Sequence, residues 1–386
     1  MIEAPNPPGT PSLADFLPEE LPAYLATRGI HVDLTQSRRL FSAGVGRAEP
    51  TLERARGLAR PTLQAIEQAF EPVAISIKER RVSPSDGFVK YLFTLGDGAE
   101  VEAVRIPLPC EPPGTPEGDL ARQAVTGTWR GKEKKYVVCV SSQVGCALGC
   151  SFCATATLGF RRHLRPSEII AQIQAVRAEA DRPVRGIVFM GMGEPFLNYD
   201  AVIKAARICS HPAGLAIGAS DITISTAGIV PAIRRFTAEG HKFRLAISLS
   251  SAVPERRRVL MPIERKYATG ELVAAVREHA EKTGDRVTIA YVTIGGPEGN
   301  CRIEDARAIG ELFRDVPIRL DLIDVNGEVG GYSPPTPAEL KVFRQALDEA
   351  LRQPVARRYS GGKDIDAACG MLAARRGAAV GVDARV

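Results

Sequence analysis

The chain has 386 residues, 45% of them apolar and 25% charged, and a formal net charge of +5. This ordinary soluble composition can bury one large domain and a smaller one, and no apolar run reaches the length that crosses a bilayer. Residues 1–15 are rich in proline and lack the charged-then-apolar pattern of a secretion signal, so the chain reads as cytoplasmic, without a membrane partner. In that reducing compartment its eight cysteines are expected as metal ligands or catalytic thiols rather than disulfides. The basic clusters Lys78-Glu79-Arg80-Arg81, 130–135 and Arg256-Arg257-Arg258 could meet phosphates, although such runs are more often solvated faces.

From Leu13 to about Phe70 the apolar residues fall at helical intervals, as in Leu63, Ile66 and Phe70, with Pro61-Thr62 as a helix start. A β-hairpin is predicted from 88–95 and 101–106, turning at Gly96-Asp97-Gly98. Residues 109–132 read as a long exposed loop. Beyond Tyr136, strands predicted at 136–141, 186–190, 221–225, 243–249, 286–294 and 318–324 alternate with helices at 167–180, 199–210, 230–239, 270–282, 304–315 and 336–352. A seventh strand is placed at 355–359. Alternation of this kind implies right-handed crossovers and a parallel sheet, open or curled into a partial barrel. The expected division is a helical accessory domain at 1–84, a β extension and loop at 85–135, an α/β core at 136–372 and a fraying tail at 373–386.

Directly after the first core strand stand Cys146, Cys150 and Cys153, spaced C-x3-C-x2-C. Three thiolates on one short loop converge on a soft metal centre, and cysteine thiolates hold iron–sulfur clusters. Three donors leave one iron of a [4Fe–4S] cube open to a substrate, and the amino and carboxylate groups of S-adenosylmethionine (SAM) can fill that position. The alternative is a structural zinc site completed by His163 or another cysteine, but zinc sites more often use paired C-x2-C units. With Phe152 before its last cysteine, the loop resembles the signature of the radical SAM superfamily.

Residues at the carboxyl ends of barrel strands build active sites. Here Gly191-Met192-Gly193-Glu194-Pro195 ends the second strand, where Glu194 could order an ammonium. Ser225 ends the third strand, Ser248 and Ser250 the fourth and Asn326 the sixth. Short polar groups at these positions suit hydrogen bonds to an amino acid or a ribose.

These motifs, with Cys139-Val140-Ser141-Ser142-Gln143-Val144-Gly145, Ile224-Ser225-Thr226-Ala227-Gly228 and Asp364-Ile365-Asp366-Ala367-Ala368-Cys369-Gly370, resemble the RlmN/Cfr family of radical SAM methyltransferases. The resemblance runs from the helical N-terminal part to Leu372. It implies a partial (β/α)6 barrel, one [4Fe–4S] cluster on Cys146, Cys150 and Cys153, and SAM contacts at Gly193, Glu194, Ser225, Ser248, Leu249, Ser250 and Asn326. It also implies an RNA-binding N-terminal domain, methylation of adenine C2 in ribosomal or transfer RNA, and an electron donor such as flavodoxin or ferredoxin.

Adenine C2 is an electron-poor carbon without a lone pair, so ordinary polar transfer of a methyl group to it is closed. The resemblance implies instead that a first SAM methylates Cys369, and that a 5′-deoxyadenosyl radical from a second takes hydrogen from the S-methyl group. The resulting carbon radical adds to C2, and Cys139 then attacks Cys369 to release the product as a disulfide. Alternation along the strand sets Cys139 on the opposite face from Tyr136, Val138 and Val140. Taken alone, Cys139 and Cys369 would read as small buried hydrophobes, as Cys110, Cys209 and Cys301 do. The family's base aligns with Glu102, with Glu111, Glu117 and Glu133 as alternatives in the longer segment before Cys139.

The sequence departs from the family pattern at Ser250, where histidine is usual, at both neighbours of Asn326, where tryptophan and proline flank it, and at Met371, where glutamine is usual. Chemistry survives such changes more readily than target choice, so they bear on which RNA is modified. Two other readings stand beside this one: a radical SAM enzyme acting on a peptide or small molecule, and a zinc-stabilised RNA-binding module.

Overall fold

The computed structural model describes residues 10–47, 49–108, 134–326 and 329–373. The expected loop at 109–132 and, apart from Ala373, the tail at 373–386 lie outside the described residues, as do Cys110, Glu111, Glu117 and Glu133.

The N-terminal part is helical: α1 (Leu21–Ala26), α2 (Leu34–Gly44) and α3 (Arg60–Ala69). Asp33 opens α2 with a reciprocal cap, its carboxylate accepting the Gln36 N–H at 2.7 Å while Gln36 Oε1 accepts the Asp33 N–H at 3.0 Å. Phe16, Tyr24 and Phe70 stack at this part's centre. Ile66 is fully buried, as the helical spacing required.

After β1 (Ile75–Val82), β2 (Val89–Leu95), β3 (Glu100–Leu108) and β4 (Lys135–Cys139) comes a small sheet of β5 (Gln143–Gly145) and β6 (Phe160–His163). The alternating part then runs α4 (Pro166–Ala178), β7 (Val184–Phe189), α5 (Tyr199–Ser210), β8 (Ile222–Thr226), α6 (Val230–Glu239) and β9 (Arg244–Ser248). It continues with α7 (Pro254–Leu260), α8 (Thr269–Thr283), β10 (Val287–Thr293), α9 (Ile303–Leu312), β11 (Ile318–Asp324), α10 (Pro337–Leu351) and β12 (Val355–Arg357). Two helices stop at a left-handed glycine, Gly240 after α6 and Gly284 after α8.

Ten strands form one open sheet in the order β1-β2-β3-β4-β7-β8-β9-β10-β11-β12. Pairing is antiparallel from β1 to β4 and parallel from β4 to β12, so β4 is the seam between two kinds of sheet. The parallel strands are apolar along their length because helices cover them; Ile187, Ile222, Ile224, Ile289, Leu320 and Leu322 are completely buried. The N-terminal helices dock outside that layer, with Gln174 of α4 donating to the Val45 carbonyl at 3.0 Å and Lys204 of α5 paired with Glu20. No described helix is long and apolar enough to cross a membrane.

The structure adds elements that the sequence reading lacks. β1 is an edge strand with no buried residue, so it carries no apolar alternation, and its charges form one of the basic clusters that could meet phosphates or be a solvated face. They are paired instead: Lys78 with Glu100, Arg80 with Glu179, and Arg81 with Glu79 and Asp366. Arg256 and Arg257 are also spoken for, by Asp305 and Glu264, and Arg257 is wholly buried. Of the third cluster, residues 130–133 lie outside the described residues, and Lys135 reaches Asp221 at 4.0 Å.

Candidate active site

Parallel strands joined by crossovers point their carboxyl ends the same way, so the loops that follow them gather at one end of the sheet. A cavity with about 990 Å³ of empty space, counted out to its mouth, opens there. Its lining includes Cys146, Cys150 and Cys153, then Gly193 and Glu194 after β7, Ser225 of β8, Ser248 of β9, Asn326 after β11, and Cys369.

The loop after β7 is stapled to the chain leading from β4 to the cysteines. Gly191 N–H donates to the Val140 carbonyl at 3.0 Å, and the Ser142 N–H donates to the Met192 carbonyl at 2.9 Å. The Glu194 N–H donates to Gln143 Oε1 at 2.8 Å, and the Met192 N–H to Ser141 Oγ at 2.9 Å. Such close backbone approach needs glycine. A Cβ at Gly191 would lie 2.6 Å from the Val140 carbonyl atoms, and one at Gly193, where φ is +102°, would lie 2.5 Å from Gln143 Cβ. Gly191→Ala is therefore expected to destabilise the protein by about 1–3 kcal/mol, read as a lower urea midpoint with unchanged slope. An unaltered midpoint would contradict the packing.

Glu194 sits at the back of this loop, almost fully buried, accepting the Phe196 N–H at 2.9 Å and the Ala227 N–H at 2.8 Å. Burial pushes its carboxyl up to about 7, against the pull of those donors. Arg257 donates to the Ala227 carbonyl at 2.7 Å, so a buried carboxyl and a buried guanidinium hold the N–H and the C=O of one residue, Ala227, on the cavity wall.

The three thiols are half-buried, and burial pushes Cys146 up to about 12 and Cys150 higher still, helped by the neighbouring sulfurs. They need a cationic centre to become thiolates. Among the described residues no three His, Cys, Asp or Glu side chains form a group that would hold a single metal ion. His163 does not complete them; its Nδ1 meets Gln143 Nε2 at 3.0 Å.

Asn326 donates through Nδ2 to the Asp324 carbonyl at 2.8 Å and to Ser360 Oγ at 3.1 Å, while its Oδ1 is buried without a partner. An orphaned acceptor lining a cavity is a position for a ligand's donor. Three thiols, this acceptor and the glycine-walled loop fit a cluster carrying SAM.

A second, smaller cavity adjoins the first and is lined by Cys139, Phe88 and Ala368 among others. Cys369, Met190 and Arg358 line both cavities. Cys139 and Cys369 are free thiols, the first buried and the second exposed. Burial, then the adjacent Cys369, pushes Cys139 up to about 12, and Arg358 opposes that rise. Cys369 lies on a loop after a single 3-10 turn, Lys363–Ile365, not at the start of a helix. That loop is tied to the cluster loop, with the Ala154 N–H donating to the Gly370 carbonyl at 2.7 Å and Thr155 Oγ1 to the Leu372 carbonyl at 2.6 Å.

Three expected site residues line neither cavity. Leu249 is fully buried, its N–H on the Ala290 carbonyl at 2.9 Å. Ser250 turns away through a positive φ of +56°, and its buried hydroxyl has no partner. Glu102 lines neither cavity: it is buried in β3, with Oε1 on Lys90 Nζ at 2.9 Å. Conversely, Met190 and Arg358 were missed; Arg358 Nη1 contacts Met190 Sδ at 3.3 Å, a pairing that no local sequence pattern announces.

A thiol triplet beside a ligand-sized cavity, at the carboxyl ends of parallel strands, is the site of a radical SAM protein, and the radical SAM superfamily profile matches residues 140–309. A solved radical SAM methyltransferase from Sphaerobacter thermophilus superposes with a TM-score of 0.80 at 33% identity, covering 95% of this chain and 100% of that one. A protein of Myxococcus xanthus described as a "probable RNA methyltransferase" is 48% identical over 87% of each chain. A "probable dual-specificity RNA methyltransferase RlmN" of Moorella thermoacetica is 38% identical over 93% of this chain and 96% of its own. The chain belongs to the RlmN-like family of radical SAM RNA methyltransferases, enzymes that use a [4Fe–4S] cluster and SAM.

Proposed function

We propose that this enzyme methylates C2 of an adenosine in ribosomal or transfer RNA, with Cys369 as methyl carrier, Cys139 as the releasing thiol and Glu102 as the base. The observation that carries the reading is the placement of Cys369, which lines the cluster cavity and also the small pocket holding Cys139. A carrier must meet a methyl donor on one side and a releasing thiol on the other.

The bound cluster and SAM supply a methyl group and, on reduction, a carbon-centred oxidant that removes a hydrogen atom. Cys369 takes the methyl as a thioether, its S–C bond forming as the sulfonium carbon leaves its donor. Once a hydrogen atom has been lost, the carbon on Cys369 bonds to C2. Glu102 takes the C2 proton, and the surplus electron passes to a one-electron acceptor of the flavodoxin or ferredoxin class. Cys139, as a thiolate, then bonds to the Cys369 sulfur; the S–CH₂ bond breaks, its electron pair stays with the carbon, and a proton completes the methyl group. The disulfide left behind must be reduced by an external thiol before another turnover.

The N-terminal helices add a surface suited to a polyanion. Arg39, Arg47, Arg54 and Arg56 line a cleft there with Glu53, and among the described residues none of the four arginines is in an ion pair. Unpaired guanidinium groups are free to neutralise phosphates.

Glu194 lines the cavity, and to receive the SAM ammonium in this scheme it must be ionised. Because burial holds its carboxyl near 7, SAM binding is expected to weaken by up to about tenfold for each pH unit below that value. Glu194→Gln is expected to bind SAM weakly at every pH. A pH-independent SAM dissociation constant between 5.5 and 8 would dissociate Glu194 from this role.

The functional test is mass-spectrometric mapping of methyladenosines in ribosomal and transfer RNA with and without the gene, beside an assay for 5′-deoxyadenosine in reduced, SAM-supplied protein. An adenosine that loses its C2 methyl group with the gene supports the proposal; unchanged maps in both RNA classes overturn it.

A further inference from the structure

Lys90 of β2 is a buried cation that the chemistry above leaves unused. Its side chain is 8% exposed and that of Glu102 is 3% exposed, with 2.9 Å between Nζ and Oε1. The register pairs Leu92 with Glu102 and Lys90 with Val104, so the two charges face each other diagonally across the strand pair. The ammonium has a second partner, the Asp366 carbonyl at 3.0 Å, three residues before Cys369. The Asp366 backbone adopts a positive φ of +56°, and its carboxylate meets Arg81 at 3.5 Å.

The other side of Glu102 is tied just as closely to the releasing thiol. Its carbonyl accepts from Ser141 Oγ at 2.6 Å, two residues past Cys139. Its second carboxylate oxygen, Oε2, is buried with no side-chain partner, and the Ala373 backbone N–H lies near enough to the carboxylate to favour its charged form. A buried ion pair is weak evidence for stability, since apolar residues of similar volume often serve the fold as well or better. An ammonium shared between a carboxylate and the main chain of the Cys369 loop is the arrangement of a held base.

We propose that Lys90 is a positioning residue, which keeps Glu102 charged and fixes it in register with the loop that presents Cys369. This rests on the functional reading above and adds to it the residue that sets the base. Burial raises the Glu102 carboxyl and Lys90 is the largest influence opposing that rise. The other charged groups around it are Arg81 of β1, itself held by Glu79, and the Asp366 carboxylate on the loop. Ser141 beside β4 is uncharged.

The test uses the full-length, cluster-loaded enzyme under anaerobic conditions, with ribosomal and transfer RNA from cells lacking the gene. In Lys90→Met, iron content, 5′-deoxyadenosine formation without RNA and methyl loading of Cys369 are expected to be unchanged. The acid limb of the methyladenosine-forming rate is expected to move up by about one pH unit or more, a loss of at least about tenfold below that limb. Lys90→Arg should restore most of the rate. Should Lys90→Met fold poorly because Glu102 is left unpaired, Lys90→Met/Glu102→Gln removes both charges and is expected to be no slower than Glu102→Gln alone.

A uniform drop in rate with the pH profile of the wild type, or losses that multiply in the double variant, overturns the role of Lys90 while leaving the methyltransferase reading intact. A wild-type enzyme that cleaves SAM yet makes no methyladenosine overturns the functional reading and this inference together.

Discussion

Cys369→Ala is expected to retain its iron–sulfur absorption and its reductive cleavage of SAM while RNA methylation falls by more than about 10³-fold. The residue is exposed, and it is the only cysteine among the described residues that lines both cavities. Under the proposed scheme, losing it removes the site on which the methyl group waits, and no neighbouring thiol can stand in. Cys146, Cys150 and Cys153 line only the larger cavity, and Cys139 only the smaller one. The Cys369 side chain is not a core filler, and its main chain is held by its own N–H on Ser360 Oγ at 3.1 Å. An exposed alanine should therefore leave the loop standing. Undiminished methyladenosine formation by this variant would end the carrier scheme.

Cys139→Ala should fail later, after the carbon bridge to RNA has formed. The expected result is a covalent protein–RNA species that survives denaturing electrophoresis and builds up towards one per enzyme. Steady turnover drops by more than about 10²-fold. Burial and the adjacent Cys369 push the Cys139 thiol up to about 12, so near neutral pH it is the protonated, weakly nucleophilic form. If the variant turns over at the normal rate with no trapped species, release uses a different thiol or none at all.

Much of this architecture was legible in the residue order, and the reasons are physical. The strand predicted at 318–324 and the helices at 199–210 and 230–239 match the observed bounds, because long apolar runs alternate with amphipathic stretches that end at glycine or a turn. The cluster loop was legible because three cysteines at close spacing depend on no distant part of the chain. β1 was missed because an exposed edge strand of charged residues carries no burial signal. β5 and β6 were missed because three and four residues are too few to show a period. Arg358 and Met190 reach the site from β-strand ends 168 residues apart, and only tertiary structure brings them together. Leu249 and Ser250 show the opposite failure, since adjacency to Ser248 in sequence did not survive the turn at Ser250.

The antiparallel strands grafted onto β4 matter for the same reason. Lys90, Asp86 and Ser83 all reach the Cys369 loop: Asp86 accepts the Gly362 N–H at 2.8 Å, and Ser83 Oγ bonds to Asp364 at 3.0 Å. What looked like a hairpin extension of the core is a bench on which the Cys369 loop lies.

The bonds from Thr155 to Leu372 span 217 residues of chain, and they join the metal-binding loop to the segment that walls it in. During synthesis from the N-terminus, that loop leaves the ribosome long before its cover does. Iron and sulfide can thus be delivered to a nascent chain whose thiols stand open, while a release of translation short of the cover would leave those thiols facing solvent and oxidants.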